Sequence, residues 1–435
     1  MTQARPLAVV LPVFLVTRAA IFFAATSATD SIVYHQYGVA ARKASVAALF
    51  RQHDAEYPQL AVAFSAAVGW VADQLPDGAE RAISLRRSKP PDLGTARFQV
   101  ALGLVLVALD LAALFLIASL TKSDDPRART WRLGLYVAIT SALGPILYDR
   151  LDLVVGVIAL LAVAAAARGW PAAGYALLTA GAAFKVVPVL LLPVLVIGAA
   201  ARAQRFWPAL LKHATIAGAV LTAWPLLAYS FGGGDRSFIY LKYHSARSLE
   251  LGSAYSAPVF LAAGGEIRYE YGGYAVRGDV ADAVAKASPI IAALALILAV
   301  VVAGRALRRA DDAQRLPVLA VSCSLVWLVF ILTGKVGSPQ YLLWVATLAP
   351  LGFLRTNWDY RAAALFVAAC LLTTLTYPYL WVNVHGPAIP GETGVWAGPN
   401  SLGYALLVGR WGALAAYALW LCVRLESIAP TNPHA

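Results

Sequence analysis

The stretch Ala28–Phe64, ATDSIVYHQYGVAARKASVAALFRQHDAEYPQLAVAF, directly follows the first hydrophobic segment of the chain. It concentrates Asp30, Asp54 and Glu56 among aromatic residues and a proline, Pro58. A carboxylate placed where a membrane helix emerges costs free energy unless it has a task. This stretch therefore indicates the face of the molecule at which a functional site is expected.

The composition around this stretch is typical of a membrane protein. Of the 435 residues, 60% are hydrophobic and 13% are charged, and the mean hydropathy is +0.68. A soluble domain carries roughly 25% charged residues. The net charge of +12 would suggest nucleic acid in a soluble protein, but basic loops beside an anionic leaflet explain it here. We expect an all-α polytopic membrane protein with the lipid bilayer, and no nucleic acid, as a partner.

The hydrophobic segments predict about twelve transmembrane helices in a single membrane domain that covers residues 1–435. The predicted spans are 7–28, 98–120, 132–148, 151–168, 171–184, 188–204, 214–231, 287–304, 317–333, 340–354, 362–379 and 403–424. Short segments among them predict tilted, broken or partial crossings. With the N-terminus inside, sixteen Lys and Arg residues fall on the inner side and three in the short outer connections. The positive-inside rule therefore predicts cytoplasmic N- and C-termini in the cell inner (plasma) membrane.

Two large loops are predicted on the outer side, at about residues 29–97 and about 232–286. Residues 58–75 of the first loop are apolar enough to span, but a crossing there would invert every later connection and place the basic segment 122–132 outside. We therefore predict that 58–75 form an amphipathic or re-entrant helix at the outer surface.

Polar residues from distant parts of the chain are predicted to share this outer side. They are Asp30, Tyr34, Asp54, Glu56, Tyr57, Asp149, Arg150, Asp152, Lys185, His244, Arg247, Glu250, Lys335 and Gln340. A carboxylate among them can act as a general base on a hydroxyl. Arginine and lysine side chains can neutralise a phosphate leaving group.

Each of these residues also has a structural interpretation. Acids stabilise helix N-termini, which would account for Asp30 or Glu56. The cluster at 149–152 can be an ion pair that pins two helices, and Lys185 can reach the membrane interface with its charge. Charged residues within spans, namely Arg18, Asp110 and Arg410, are interpreted as structural pairs in the bundle rather than catalytic groups.

Five short motifs follow one another in order along this side. They are Asp30 with Tyr34, Glu56-Tyr57-Pro58-Gln59-Leu60, Arg150-Leu151-Asp152, Lys185 with Pro188 and Pro193, and Pro339-Gln340-Tyr341-Leu342-Leu343-Trp344. Together they resemble the glycosyltransferase-C superfamily, in particular the bacterial polyprenyl-phosphomannose-dependent mannosyltransferases. The resemblance covers roughly residues 1–355, and it departs from the family where Gln59 replaces a second proline.

The resemblance implies a glycosyltransferase-C helical bundle with an extracytoplasmic active site. The donor would be a sugar, with mannose expected first, on polyprenyl phosphate, and the acceptor a glycolipid, a polysaccharide or a protein. Asp30 would be the general base, supported by Asp54 and Glu56, and the sugar carbon would invert without a metal or a cofactor. The residues implied for donor and phosphate binding are Arg150, Lys185, His244, Arg247, Lys335 and Gln340, with Tyr34, Tyr57, Asp152 and Tyr341 as further pocket residues.

Two other readings of the sequence remain open. Twelve spans are also common in secondary transporters, which place their ionisable residues near the bilayer midplane and contain repeats. Most ionisable residues here are predicted at one interface instead. A lipid-linked polymer ligase or a non-catalytic scaffold of envelope assembly is the third reading.

Overall fold

The structure is a computed structural model that describes residues 5–23, 29–83, 92–352, 356–390 and 392–428. Several predicted features fall on residues outside these ranges. They are the two chain ends, the end of the first span (24–28), part of the first loop (84–91), the end of the tenth span (353–354) and Arg355.

The described part of the chain is predominantly helical. The helices are α1 (Arg5–Phe22), α2 (Thr29–Lys43), α3 (Val46–Gln52), α4 (Gln59–Asp73), α5 (Leu93–Leu120), α6 (Pro126–Ala142), α7 (Ile146–Asp149), α8 (Asp152–Ala167), α9 (Pro171–Phe184), α10 (Leu192–Ala200), α11 (Phe206–Gly232), α12 (Ile239–Ala246), α13 (Ser256–Ala263), α14 (Asp279–Arg309), α15 (Arg315–Thr333), α16 (Leu342–Leu348), α17 (Asn357–Thr374), α18 (Trp381–His385) and α19 (Ser401–Glu426). The strands are β1 (Leu249–Glu250), β2 (Glu266–Glu270), β3 (Gly273–Arg277) and β4 (Val395–Trp396).

Six helices in the described ranges are long and apolar enough to cross a membrane. They are α5, α11, α14, α15, α17 and α19. The chain is thus a multi-pass α-helical membrane protein, whereas the predicted count of twelve spans is not confirmed. The other apolar helices are shorter, and α1, α4, α8, α9 and the segment around α10 belong to this group.

Helix α8 lies at the centre of the bundle. Almost all of its 16 residues are buried, and its sequence is apolar all round, as expected of a helix surrounded by other helices. It packs on α5, α9, α15 and α16. Gly156 permits the approach of α16, because a Cβ atom there would lie 2.8 Å from the carbonyl oxygen of Leu343. By contrast, almost none of α11 is buried.

Proline residues interrupt the helical path where the sequence predicted a break. Helix α9 ends at Phe184, a 3₁₀ turn at Val187–Leu191 contains Pro188, and α10 starts at Leu192 with Pro193 in its first turn. Proline lacks the N–H that continues a helix and fixes its own φ angle. Lys185 is thereby left at a chain reversal rather than inside a helix.

The interior ion pair predicted from Arg18 and Asp110 is present. Nε of Arg18 donates to Oδ2 of Asp110 at 2.7 Å, and the side chains are 2% and 0% exposed. The hydroxyls of Tyr136 and Tyr148 donate to the same carboxylate at 2.5 and 2.7 Å. A buried charge pair requires such additional hydrogen bonds to offset its desolvation.

The two regions predicted as outer loops contain regular structure. The first includes α2, α3 and α4, so residues 58–75 do form a helix. The second includes α12, α13 and strands β1 to β3, which join β4 in an antiparallel sheet of order β1-β3-β2-β4. The two-residue turn between β2 and β3 has positive φ at Tyr271 (48°) and Gly272 (70°), as a type I′ hairpin turn requires.

Connections that the topology predicts on the inner side also contact one another. Arg202 lies 3.7 Å from Asp312, Arg309 lies 3.5 Å from Glu426, and Arg424 lies 3.0 Å from Asp359. The predicted grouping of the connections is therefore matched by contacts within the inner group.

Candidate functional site

The centre of the site lies where the chain enters α8. The guanidinium of Arg150 forms an ion pair with the carboxylate of Asp30, which lies in the first turn of α2. Nη2 of Arg150 also donates to the hydroxyl of Tyr377 at 3.1 Å. The side chain of Asp30 is 24% exposed and that of Arg150 is 10% exposed. The predicted base and a predicted phosphate ligand are therefore direct partners at a place that solvent can reach.

A second ion pair lies beside the first and is far more enclosed. Nζ of Lys185 and Nε1 of Trp344 both donate to Oδ1 of Asp152 at 2.7 Å. Asp152 is 1% exposed. Lys185 also lies over the ring of Tyr341, with 5.2 Å between Nζ and the ring centroid. The carboxylate of Asp152 thus holds Lys185 against two aromatic rings, at the N-terminus of α8, where a negative charge is stabilised by the helix dipole.

Two tyrosines from the first predicted loop connect these pairs to the rest of the site. The hydroxyls of Tyr34 and Tyr57 are 3.2 Å apart. Burial is the main reason why the pKa of Tyr34 is raised, and the neighbouring Tyr57 and the negative charge of Asp152 raise it further. Both phenols are therefore neutral hydrogen-bonding groups at physiological pH.

The second predicted loop contributes α12, which lies beside Glu56 of the first predicted loop. Burial raises the pKa of Glu56, although a hydrogen bond to Tyr243 and the charge of Arg247 oppose this. His244 is an exposed residue. Partial burial of its imidazole, together with the charges of Arg247 and Lys185, lowers the pKa of His244 to about 4. His244 is thus a neutral imidazole near neutral pH, able to donate one hydrogen bond and accept another.

Glu250 organises the cations on this side of the site. Oε1 of Glu250 lies 3.7 Å from Nη2 of Arg247, and Oε2 accepts a hydrogen bond from the backbone N–H of Gly337 at 2.8 Å. Its own N–H donates to the carbonyl oxygen of Lys335 at 2.9 Å. Lys335 in turn donates from Nζ to the carbonyl oxygen of Ser245 at 2.9 Å. Glu250 therefore contacts Arg247 through its carboxylate and Lys335 through its backbone.

Arg410 of α19 also holds the segment around Gly337 in place. Buried Arg410 donates from Nη2 to the carbonyl oxygen of Gly337 at 3.1 Å, so this intramembrane arginine has a structural contact. A Cβ atom on Gly337 would lie 2.2 Å from the carbonyl oxygen of Gly252. Only glycine at position 337 permits this contact between the predicted second loop and the connection that carries Lys335.

The structure brings most of the predicted site residues into one cluster. Arg247 lies near Tyr57, Tyr243 and Tyr341, which joins the α12 side of the site to the Asp152 side. Gln340 is buried next to Tyr341. Asp54 differs, because its carboxylate forms an exposed ion pair with Arg236 at 2.6 Å.

Four residues of the cluster were absent from the predicted site. Trp344 lies in a quoted motif and Tyr243 directly precedes His244, so their sequence neighbours pointed to them. Glu250 was grouped with the outer polar residues but given no role. Tyr377 had no such signal, because it falls in the predicted span 362–379 and lies 227 positions from its partner Arg150.

The described residues contain no group of three or more His, Cys, Asp or Glu side chains that could hold a metal ion. No protein-family model matches the chain, and no curated protein matches it in sequence. The arrangement itself offers one partly exposed carboxylate, a paired arginine and further cations within one polar cluster. Such a set can accept a proton and stabilise a departing anion.

Proposed function

We propose that the protein is a membrane glycosyltransferase that moves a sugar from a polyprenyl-phosphate donor to an acceptor hydroxyl. The observation that carries this proposal is the contact between Asp30 and Arg150 at a partly exposed position. A base and a cation side by side are what a transfer reaction needs when a proton is taken up and a phosphate departs. The other cations of the cluster, Lys185, Arg247 and Lys335, extend the positive surface.

The proposed reaction is a single displacement with Asp30 as general base. The oxygen of the acceptor hydroxyl attacks the anomeric carbon of the sugar, and its proton passes to the carboxylate of Asp30. The bond between that carbon and the phosphate oxygen breaks, and the electron pair leaves with the polyprenyl phosphate. Attack opposite to the leaving group inverts the sugar carbon. The phosphate departs already charged, so cations suffice and a protonating acid is not required.

Arg150 has a double role in this proposal. In the absence of donor, the guanidinium of Arg150 is paired with the carboxylate of Asp30. A cation in direct contact weakens a carboxylate as a base. A bound phosphate offers Arg150 two or more anionic oxygens, which a guanidinium binds in bidentate geometry. Donor binding would therefore transfer Arg150 from the carboxylate to the phosphate and strengthen Asp30 as a base at the same time.

The finer features of the proposal rest on the sequence resemblance and on topology. They comprise mannose as the sugar, an extracytoplasmic active site in the inner (plasma) membrane, and a mechanism that needs no metal. A flipped lipid carrier is available outside the cytoplasm, whereas a nucleotide sugar is not. The main alternative, a secondary transporter, receives little support from the interior ion pair, because Arg18 and two tyrosines already coordinate Asp110.

The test is transfer of labelled mannose from polyprenyl-phosphate-mannose in membranes that contain the wild type or Asp30→Asn. This substitution removes the base and nearly preserves its shape. We expect the wild type to transfer label and the variant to lose roughly 10²- to 10⁴-fold, the range for general-base catalysis. Asp54→Asn is the matched control, since Asp54 lies in an exposed ion pair with Arg236.

Three results would change the proposal in different ways. Full activity of Asp30→Asn, at equal protein level, would exclude Asp30 as the base and make Glu56 the next candidate. Equal loss in Asp54→Asn would show that the effect is not specific to the Asp30–Arg150 pair. Absence of transfer from every polyprenyl-phosphate sugar tested with the wild type would reject the donor class.

A further inference from the structure

A row of aromatic side chains leads from Arg150 onto the small sheet. The hydroxyl of Tyr377 accepts a hydrogen bond from Arg150 at 3.1 Å. Ring centroids then follow at 5.7 Å from Tyr377 to Trp381 and at 5.9 Å from Trp381 to Tyr274 of β3. Tyr274 contacts Tyr269 of β2 at 5.3 Å. Consecutive ring contacts thus connect the Asp30–Arg150 pair with the sheet.

Two further rings widen this row around Tyr274. The imidazole of His385 stacks on Tyr274 with 4.9 Å between centroids and 3° between planes. Trp396 of β4 contacts Tyr274 edge-to-face at 4.8 Å. Burial lowers the pKa of His385, so this ring is neutral at physiological pH. The aromatic row, defined as Tyr377, Trp381, Tyr274, His385, Trp396 and Tyr269, therefore carries no net charge.

The sheet face that bears the row is buried around Ile267 and Val276 and partly exposed toward the β2–β3 turn. On this face, Leu249, Ile267 and Val276 are fully buried. They belong to a small hydrophobic cluster that is separate from the main core of the helical bundle. Toward the β2–β3 turn the cross-strand pair is Tyr269 and Tyr274. Every ring of the row keeps part of its surface accessible, and Tyr269 is 49% exposed. Tyr274, Trp381 and Trp396 also pack against this cluster, so packing of the sheet explains their inner surfaces. It does not explain why the ring of Tyr269 is exposed.

We propose that the aromatic row binds the sugar chain of a saccharide acceptor and directs its terminal hydroxyl to Asp30. The C–H faces of sugar rings pack on aromatic faces, while tyrosine hydroxyls and ring N–H groups hydrogen-bond to sugar hydroxyls. An acyl chain would leave those polar groups unused. The separation of neighbouring rings is comparable to the length of one hexose unit in a chain.

This inference rests on the proposed transferase function and narrows it. The cationic cluster would bind the donor phosphate, and the neutral row adjoins this cluster, because Arg247 and Glu250 line one pocket with Tyr274. Donor phosphate and acceptor chain would therefore bind next to one another. Among the acceptor classes left open by the sequence, those that present a saccharide chain are favoured over a bare protein side chain.

The experiment measures binding of two probes to purified full-length protein in lipid nanodiscs. The first probe is a set of linear hexasaccharides built from mannose, glucose or arabinose, followed by saturation-transfer NMR and titration. The second is decaprenyl monophosphate, followed by its protection against thermal unfolding. The variants are Tyr269→Ala, Tyr269→Phe, which keeps the ring, and Trp207→Ala, which removes a 72% exposed aromatic side chain at the start of α11.

We expect at least one hexasaccharide to bind the wild type. Tyr269→Ala should raise its Kd roughly tenfold, as expected for the loss of one aromatic contact. Tyr269→Phe keeps the ring but loses the hydroxyl, so it should raise the Kd less than Tyr269→Ala does. Trp207→Ala should bind as the wild type does, and all variants should bind decaprenyl monophosphate unchanged. Because Tyr269 is half exposed and loses one cross-strand contact with Tyr274, its removal should lower the unfolding temperature only slightly.

The outcomes separate this inference from the proposed function. Equal hexasaccharide binding by the wild type and Tyr269→Ala, confirmed with Trp396→Leu, would show that the row is not the binding surface. Binding of decaprenyl monophosphate without binding of any hexasaccharide would overturn the acceptor inference and leave the transferase proposal standing. Failure to bind either probe would count against both.

Discussion

Two of the arginine–aspartate pairs in the protein, Arg18–Asp110 and Asp30–Arg150, differ sharply in their surroundings. Arg18 and Asp110 lie in the bundle at 2% and 0% exposure, and the carboxylate also accepts hydrogen bonds from Tyr136 and Tyr148. Asp30 and Arg150 lie at the entrance to α8, and the carboxylate is 24% exposed.

The difference shows which pair can take part in a reaction. Three donors coordinate Asp110, and the guanidinium of Arg18 also donates to Ser141 at 2.8 Å. The buried carboxylate of Asp110 therefore has no lone pair that a substrate can reach. Its role is to hold neighbouring helices together. Asp30 keeps an accessible surface and a partner that phosphate can compete for. Saturation of the hydrogen bonds therefore distinguishes a structural pair from a reactive one.

The largest expected effect concerns stability and separates the two pairs directly. Asp110→Asn leaves the buried Arg18 without its counter-charge and should lower the free energy of unfolding by about 3–5 kcal/mol. Asp30→Asn should lower it less, by roughly 1–3 kcal/mol, because Asp30 is 24% exposed and Arg150 keeps its hydrogen bond to Tyr377. Unfolding of both purified variants in mixed micelles with increasing SDS would measure this. Equal destabilisation by the two substitutions would remove the distinction between the pairs.

The second prediction concerns activity, where substitution at the Asp30–Arg150 pair should have the larger effect. Arg150→Ala should lower sugar transfer by roughly 10²- to 10³-fold, the range for removal of one preorganised donor, with little loss of stability. Arg150→Lys keeps the charge but loses the planar fork, so it should recover only part of the activity. Single-turnover transfer in membranes measures both. Full activity of Arg150→Lys would show that charge alone, and not bidentate geometry, is required.

The sequence predicted the components of the site better than their pairing. Alternation of spans placed Asp30, Arg150 and Lys185 on the same side of the membrane, and the structure brings these residues together. The direct contact of Asp30 with Arg150 was not predictable, since helix ends on one face can pair in several ways. Two later segments of the chain supply Tyr377 and β4, and no local pattern indicated a sheet formed across such distances. Tertiary packing decides these contacts.

The third prediction tests whether Glu250 positions the cations of the site. Glu250→Gln retains a hydrogen-bond acceptor for the N–H of Gly337 but loses the charge that faces Arg247. We expect a severalfold rise in the KM for the donor with a smaller change in kcat, because the residue acts on binding groups and not on the reacting atoms. Glu250→Ala loses both contacts and should be worse.

A matched control for this measurement is Glu266→Gln, in the same sheet, where the carboxylate lies in an exposed pair with Arg268. It should leave the KM for the donor unchanged. If Glu250→Gln lowers kcat and leaves the KM for the donor unaltered, its role is not to position donor-binding cations.

The smallest expected effect concerns the pH dependence of stability that His244 of α12 contributes. The pKa of His244 is lowered to about 4 in the folded protein from an ordinary value of 6.5. Between these values the unfolded chain binds more protons at this residue, so stability should rise with pH across this window and be lost as pH falls below 6.5. Glu56 acts in the opposite sense, because its pKa is raised by burial, so the wild-type profile alone is ambiguous.

The difference between the wild type and His244→Asn isolates the histidine. Unfolding temperatures measured from pH 4.5 to pH 7.5 should converge at the acid end for the two proteins if the neutral imidazole is the favoured form, since the wild type loses its advantage there. His53→Asn, at a histidine after α3 and outside the site, is the control for the loss of an imidazole. A constant difference between the wild type and His244→Asn at every pH would mean that the imidazole titrates alike in both states. Partial burial of the imidazole and the charges of Arg247 and Lys185 would then have no influence on the protonation of His244.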